Sequence, residues 1–113
     1  MTDVVAEARR WYLSRISAMV LGVCVVVHLA TIIHAVQGGL TAGEILARTR
    51  GNIGFAAFYG AFVLACAVHV PVGLEAIARE WLRLPASAAR GLAWAVAALI
   101  VVMGLRAVYG LYA

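Results

Sequence analysis

The stretch ACAVHVPVGLEAIAREW, residues 65–81, decides how the chain folds: an apolar run carries one imidazole, His69, and one proline, Pro71, and then ends abruptly in charge. Composition supplies its setting. Of 113 residues 65% are hydrophobic and 12% charged, and the mean hydropathy is +1.00, far outside the range of a soluble globular domain. Working outward, the run belongs to an apolar segment from about Ile53 to Ile77. Two more segments of the same kind cover about Ser14–Val36 and Gly91–Tyr112. Each reaches the roughly 20 residues that cross a bilayer. The expectation is an all-α membrane protein with three transmembrane helices and little chain left over.

The opening MTDVVAEARRWYLSR carries Asp3 and Glu7 and reads as a short amphipathic lead into the first span, so a cleaved secretory signal is not expected. Between the first two spans, Gly38 and Gly39 end a helix, and residues 41–50 suit a short interfacial helix. Between the second and third, Pro85 and Ser87 mark a turn and a helix start. Arg9, Arg10, Arg15, Arg79, Arg83 and Arg90 flank one side, against Arg48 and Arg50 on the other. Arginine asymmetry of this kind puts the N-terminus in the cytoplasm. The net charge of +4 then reflects topology, and without a basic stripe of interleaved aromatics no nucleic-acid partner is expected. Cys24 and Cys66 lie mid-span without C-x-x-C pairing and read as small hydrophobes.

A polar side chain inside a span needs a partner or a function. The candidates are His28, Thr31 and His34 in span one, His69 in span two and Arg106 in span three. At 1.5 Å per residue, His28 lies roughly 20 Å in from Ser14, and His69 roughly 10 to 16 Å from the cytoplasmic end of its span. A neutral imidazole at such depth offers an acceptor nitrogen, and haem iron is a partner that uses it while a backbone carbonyl fixes the other N–H. Pro71 frees the carbonyl of Ala67 beside His69, and Gly73 leaves room for a flat macrocycle. The plainer alternative is a hydrogen bond from His69 to a neighbouring helix. Tyr59, Phe62 and Cys66 share the His69 face and read as packing. Small-residue faces at Ala18 and Gly22, and at Gly104, Ala107 and Gly110, suit close helix contact. His34, about 240° around the helix from His28, suits an interfacial position. Arg106 either snorkels to headgroups or pairs with a haem propionate.

These residues resemble the cytochrome b membrane anchor of succinate dehydrogenase and fumarate reductase, the succinate:quinone oxidoreductases. In that family an axial histidine is followed four residues later by glycine and an aliphatic residue, as in His69-Val70-Pro71-Val72-Gly73-Leu74. EAIAREW is similar to the cytoplasmic exit of that helix in the two-haem anchors, and HLATIIHAV with His28 resembles their preceding histidine-bearing helix. LSRISAMV resembles the first helix of the short, paired anchors, with Arg15 and Ser17 on the family's quinone-pocket arginine and serine. Ser14 stands where many members have a histidine, Ala18 where they have glycine, and Trp11 where a quinone-contacting serine is usual.

The resemblance implies haem b ligated by His69 and His28, and quinone as substrate at Arg15, Ser17 and Ser14. It also implies an iron–sulfur subunit and a flavoprotein subunit as partners, with FAD and the iron–sulfur clusters confined to them. Three spans suit one half of a paired anchor, so a second anchor chain or a second copy of this one completes a larger bundle in the bacterial cytoplasmic membrane. Six-coordinate haem needs its histidines at nearly equal depth, and the sequence leaves His28 and His69 offset by roughly 5 to 10 Å. They either serve different haems or share one after tilt and kinking at Pro71. No G-x-G-x-x-G and no cysteine cluster is present, so dicarboxylate chemistry is not expected on this chain. Two other classes stay open: a cytochrome b anchor of another respiratory oxidoreductase, and a haem-free structural membrane subunit.

Overall fold

The computed structural model describes residues 2–113, which form four helices: α1 (Thr2–Gly38), α2 (Ala42–Thr49), α3 (Ile53–Glu80) and α4 (Ala86–Tyr112). Helices α1, α3 and α4 are long and apolar enough to cross a membrane, as the sequence leads one to expect. The first begins well before Ser14 because nothing interrupts it: no glycine or proline precedes Gly22. Its 37 residues extend about 55 Å at the α-helical rise, which matches the 53 Å long axis of the molecule.

Local chemistry fixes the ends. α1 stops at Gly38, after which Gly39 takes φ +105°, a conformation open to glycine and costly for other residues. α2 opens with a capping box: the Thr41 hydroxyl accepts from the Glu44 backbone N–H, and the Glu44 carboxylate accepts from the Thr41 N–H. The Asn52 side chain accepts from the Phe55 N–H to start α3. α4 follows Pro85, whose extended backbone (φ −62°, ψ 152°) supplies the cap position. Ser87, expected near the start, lies in the first turn.

α3 is the central element. It packs along α4 most extensively and along α1 on its other flank, while α2 meets the C-terminal end of α4 and, through Arg48, the Gly38–Gly39 end of α1. The α3–α4 contact is built on small residues: Ala78 and Ala89 are wholly buried and Ala93 is 6% exposed, which lets the backbones approach closely. Gly104 continues that contact, facing the Val63 side chain. Ala107 and Gly110 face outward, as do Ala18 and Gly22 on α1, so those small-residue faces are not used within the chain. The Thr49 hydroxyl donates to the Leu111 carbonyl at 2.7 Å, and the Gly51 N–H to that of Tyr112 at 2.9 Å, tying α2 to the end of α4.

Along α1 the residues turned toward α3 are Arg10, Ser14, Ser17, Leu21, Cys24 and His28, alternating by four and three as in an antiparallel coiled-coil seam. Most of the outer surface is exposed apolar side chain, including Val23, Val26, Ile33, Leu99 and Val102. Water would make such a surface untenable, whereas lipid tails solvate it.

Candidate functional site

The α1–α3 seam carries every polar side chain that sequence reading marked as deep, apart from Arg106, Thr31 and His34, which are exposed. Three contacts set its antiparallel register. At the N-terminal end of α1, Arg10 pairs with Glu75 at 3.5 Å, and Arg79 lies 3.9 Å from the same carboxylate oxygen. Farther in, Ser17 Oγ meets His69 Nδ1 at 3.0 Å. Deeper still, His28 Nδ1 meets the Tyr59 hydroxyl at 2.9 Å, with the Tyr59 and Phe62 rings edge-on to the imidazole.

The Ser17 contact bears on the tautomer of His69, because the hydroxyl proton has two acceptors in reach, the Ser14 carbonyl and His69 Nδ1. A serine hydroxyl has one proton, and Ser17 donates it to the Ser14 carbonyl, 3.1 Å away, by the backward bond that helical serines favour. In that arrangement its oxygen accepts and His69 donates from Nδ1. Nε2 then keeps its lone pair and makes no hydrogen bond among the described residues. Ser17 is 6% exposed and His69 half-buried. An imidazole whose Nδ1–H is held by an oxygen and whose Nε2 is bare is the arrangement found in metal-ligating histidines. The partner holding it is Ser17, a side chain of the neighbouring helix; the backbone carbonyl freed by Pro71 is not what holds Nδ1. Pro71 itself is buried within an unbroken α3.

His28 differs. The Tyr59 hydroxyl has no second partner among the described residues, so it can donate to Nδ1 or accept from it. Donation leaves the His28 proton on Nε2 and makes the residue a packing group; acceptance leaves Nε2 free as a ligand. Ten residues of α3 separate Tyr59 from His69, about 15 Å along the axis. The depth offset between the two histidines is therefore larger than the sequence alone indicates. One iron cannot bridge them, and the shared-haem alternative within a single chain falls away.

No three His, Cys, Asp or Glu side chains converge among the described residues. The chain alone therefore does not build a chelating metal centre, whereas haem brings four nitrogen ligands of its own and asks the protein only for axial donors. Gly73, four residues after His69, borders a cleft of about 650 Å³ that Trp11, Ser14, Val72 and Ala76 also line and that His69 does not; a Cβ at Gly73 would meet nothing within 4 Å.

The quinone-pocket residues that the resemblance implies are split by the fold. Ser14 lines that cleft. Arg15 is exposed, with its guanidinium carbon 5.4 Å from the centre of the Trp11 ring at the cleft edge. Ser17 is buried between the helices, bonded to His69. Sequence reading did not pick out Glu75, which ties α1 to α3; its position four residues before Arg79, at the charged end of a span, was the available signal. Nor did it pair Tyr59 with His28, although the two share a depth once the spans are set antiparallel. Comparison with family models, with curated proteins and with solved structures found no match to this chain.

Proposed function

We propose that this chain is a haem b-binding membrane anchor of a succinate dehydrogenase/fumarate reductase complex, passing electrons between an iron–sulfur subunit and membrane quinone. The observation that carries the reading is the Ser17–His69 contact, which leaves a bare Nε2 inside an apolar span. When bound, haem supplies a one-electron store that no side chain here offers. His69 would hold the group through Nε2, with Ser17 orienting its ring through Nδ1. His28, about 15 Å deeper, supplies a second, separate ligand when its Nδ1 donates to Tyr59.

In the cleft lined by Trp11 and Ser14, the Ser14 hydroxyl is available to donate to a quinone carbonyl. The Arg15 guanidinium, 5.4 Å from the Trp11 ring centre and outside the cleft lining, would turn inward to stabilise negative charge developing on the quinone oxygen. The N-terminus is assigned to the cytoplasm on the arginine asymmetry, since six arginines gather at the α1 N-terminal end and the Arg10–Glu75–Arg79 cluster joins α1 and α3 there. The iron–sulfur and flavoprotein subunits dock on that side, and a second anchor chain or a second copy of this one completes the bundle in the bacterial cytoplasmic membrane.

The decisive experiment is a reduced-minus-oxidised visible spectrum of the purified complex beside its His69→Ala variant. A b-type α-band that disappears or shifts strongly in the variant supports the assignment. An unchanged low-spin spectrum in His69→Ala refutes it, and absence of any band in a complex that retains its partners leaves a structural anchor.

A further inference from the structure

On the side of α3 away from the Trp11–Ser14 cleft, α1 and α4 diverge and leave a second cleft of about 520 Å³. Its lower walls are apolar: Leu13 from α1, Val68, Pro71 and Val72 from α3, Trp94 and Ala97 from α4. Its mouth is charged, with Arg9 and Arg10 on α1 and Arg90 on α4 facing Glu75 on α3. The mouth runs on into a more polar space that Arg79, Asp3 and Glu7 also border.

Charge there is uneven. Arg10 and Arg79 bracket Glu75, so that cluster already carries one excess positive charge. Arg9 and Arg90 have no carboxylate within 4.0 Å among the described residues. Counting Asp3 and Glu7 across the same space, four arginines face three carboxylates, so the mouth carries one net positive charge, with Arg9 and Arg90 outside any ion pair at the rim of an apolar slot. A neutral quinone has no use for two free cations, and a free anion has no use for the slot below them. An amphiphile with a phosphate head and hydrocarbon tails uses both.

We propose that this cleft is a binding site for an anionic phospholipid, with the phosphate held by Arg9 and Arg90 and an acyl chain lying against Pro71 and Trp94. Basic pockets between transmembrane helices recognise anionic headgroups on this principle, and guanidinium is well matched to phosphate oxygens. The proposal is independent of haem and of quinone chemistry.

Trp94 is a built-in reporter. In the full chain carrying W11F and W81F it is the one remaining tryptophan, and brominated acyl chains quench a tryptophan that they touch. The protein is placed in phosphatidylcholine nanodiscs that contain either brominated phosphatidylglycerol or brominated phosphatidylcholine as a minor component. The expected result is preferential quenching of Trp94 by the anionic lipid, with the preference falling about fivefold for each of Arg9→Gln and Arg90→Gln. Excess inorganic phosphate should leave the wild-type preference in place. Equal quenching by the two lipids overturns the proposal, and that comparison needs no arginine variant. A preference that survives R9Q/R90Q overturns the assignment of the headgroup site. Loss of the preference on adding phosphate overturns the claim that the slot below contributes. A haem, where present, quenches under both lipids alike and leaves the ratio intact.

Discussion

Replacing Ser17 with alanine tests the chain of reasoning at its narrowest point. The hydroxyl makes two bonds, donating to the Ser14 carbonyl and accepting from His69 Nδ1. The Ser14 carbonyl also belongs to the α1 ladder and loses little. The His69 Nδ1–H, facing a site that is 6% exposed, loses its partner, and an unmet buried donor costs about 1–3 kcal/mol. Two readouts follow. In the haem-free chain the imidazole no longer has a reason to keep its proton on Nδ1, so ¹⁵N NMR of His69 should move from a single Nδ1–H tautomer toward a mixture.

With haem bound, the Nδ1–H bond makes Nε2 a stronger donor and favours the oxidised, more positive iron. Removing a bond worth about 1 kcal/mol should therefore raise the midpoint potential, by at most on the order of 40 mV for a one-electron couple, since only the difference in its strength between the two oxidation states counts. Ser17→Thr keeps a hydroxyl and should stay near the wild-type potential. An unchanged potential in Ser17→Ala, together with an unchanged ¹⁵N signature, would refute the tautomer argument and with it the role given to Ser17.

Arg15→Ala should slow quinone reaction and leave haem content intact; normal quinone turnover would reduce Arg15 to a topology signal. Gly104→Ala builds a Cβ at 2.6 and 2.8 Å from the Val63 methyls, and a β-branched neighbour in a helix cannot swing aside. Overpacking of this kind costs about 1–3 kcal/mol, so the thermal midpoint should fall, and Val63→Ala in the same chain should restore much of it. Glu44 is held below its usual value of 4.5, first by the Thr41 backbone N–H, then by the Thr41 hydroxyl and the nearby Arg48. Because its folded-state value is lowered, its contribution is complete above 4.5 and is lost as pH falls through the lower folded value. Amide protection factors in the first turn of α2, corrected for the intrinsic rate, should fall on acidification through that window, and Glu44→Gln should remove this fall.

The parts of this structure governed by local rules were legible in the sequence. Apolar length gave the three long helices, and glycines 38 and 39, Asn52 and Pro85 mark where elements end or begin. Residues 41–50 contain the Thr and Glu of a capping box at the spacing that box requires. α1 begins well before the span that opens near Ser14, because apolar length locates the membrane, whereas a helix ends where its hydrogen bonding ends; residues 2–13 contain nothing to stop it. The depth relation between His28 and His69 was underestimated because counting from span ends sums two uncertain boundaries, while the Ser17–His69 and His28–Tyr59 contacts measure depth directly. Ser17 shows a different limit. The resemblance gives it a quinone, but which face of α1 turns inward is a property of the seam with α3, and only the packed pair of helices reveals it.

That seam also constrains how the proposed cofactor is completed. Each histidine has one nitrogen occupied inside the chain, His69 by Ser17 and His28 by Tyr59, so each has at most one nitrogen left to ligate. With about 15 Å of helix between them, one chain presents at most two single-ligand positions at different depths. Six-coordinate, low-spin haem therefore requires a histidine or other axial donor from a second chain at the depth of His69. The outward-facing Ala18 and Gly22 give such a chain a surface of close approach on α1. Oligomeric assembly thus becomes part of the ligation chemistry. If the solitary chain, verified as a monomer in detergent, bound haem with a bis-histidine spectrum, the geometry derived for His28 and His69 would be wrong. A five-coordinate or weakly held haem in the monomer, turning low-spin on assembly, is what the proposed function predicts.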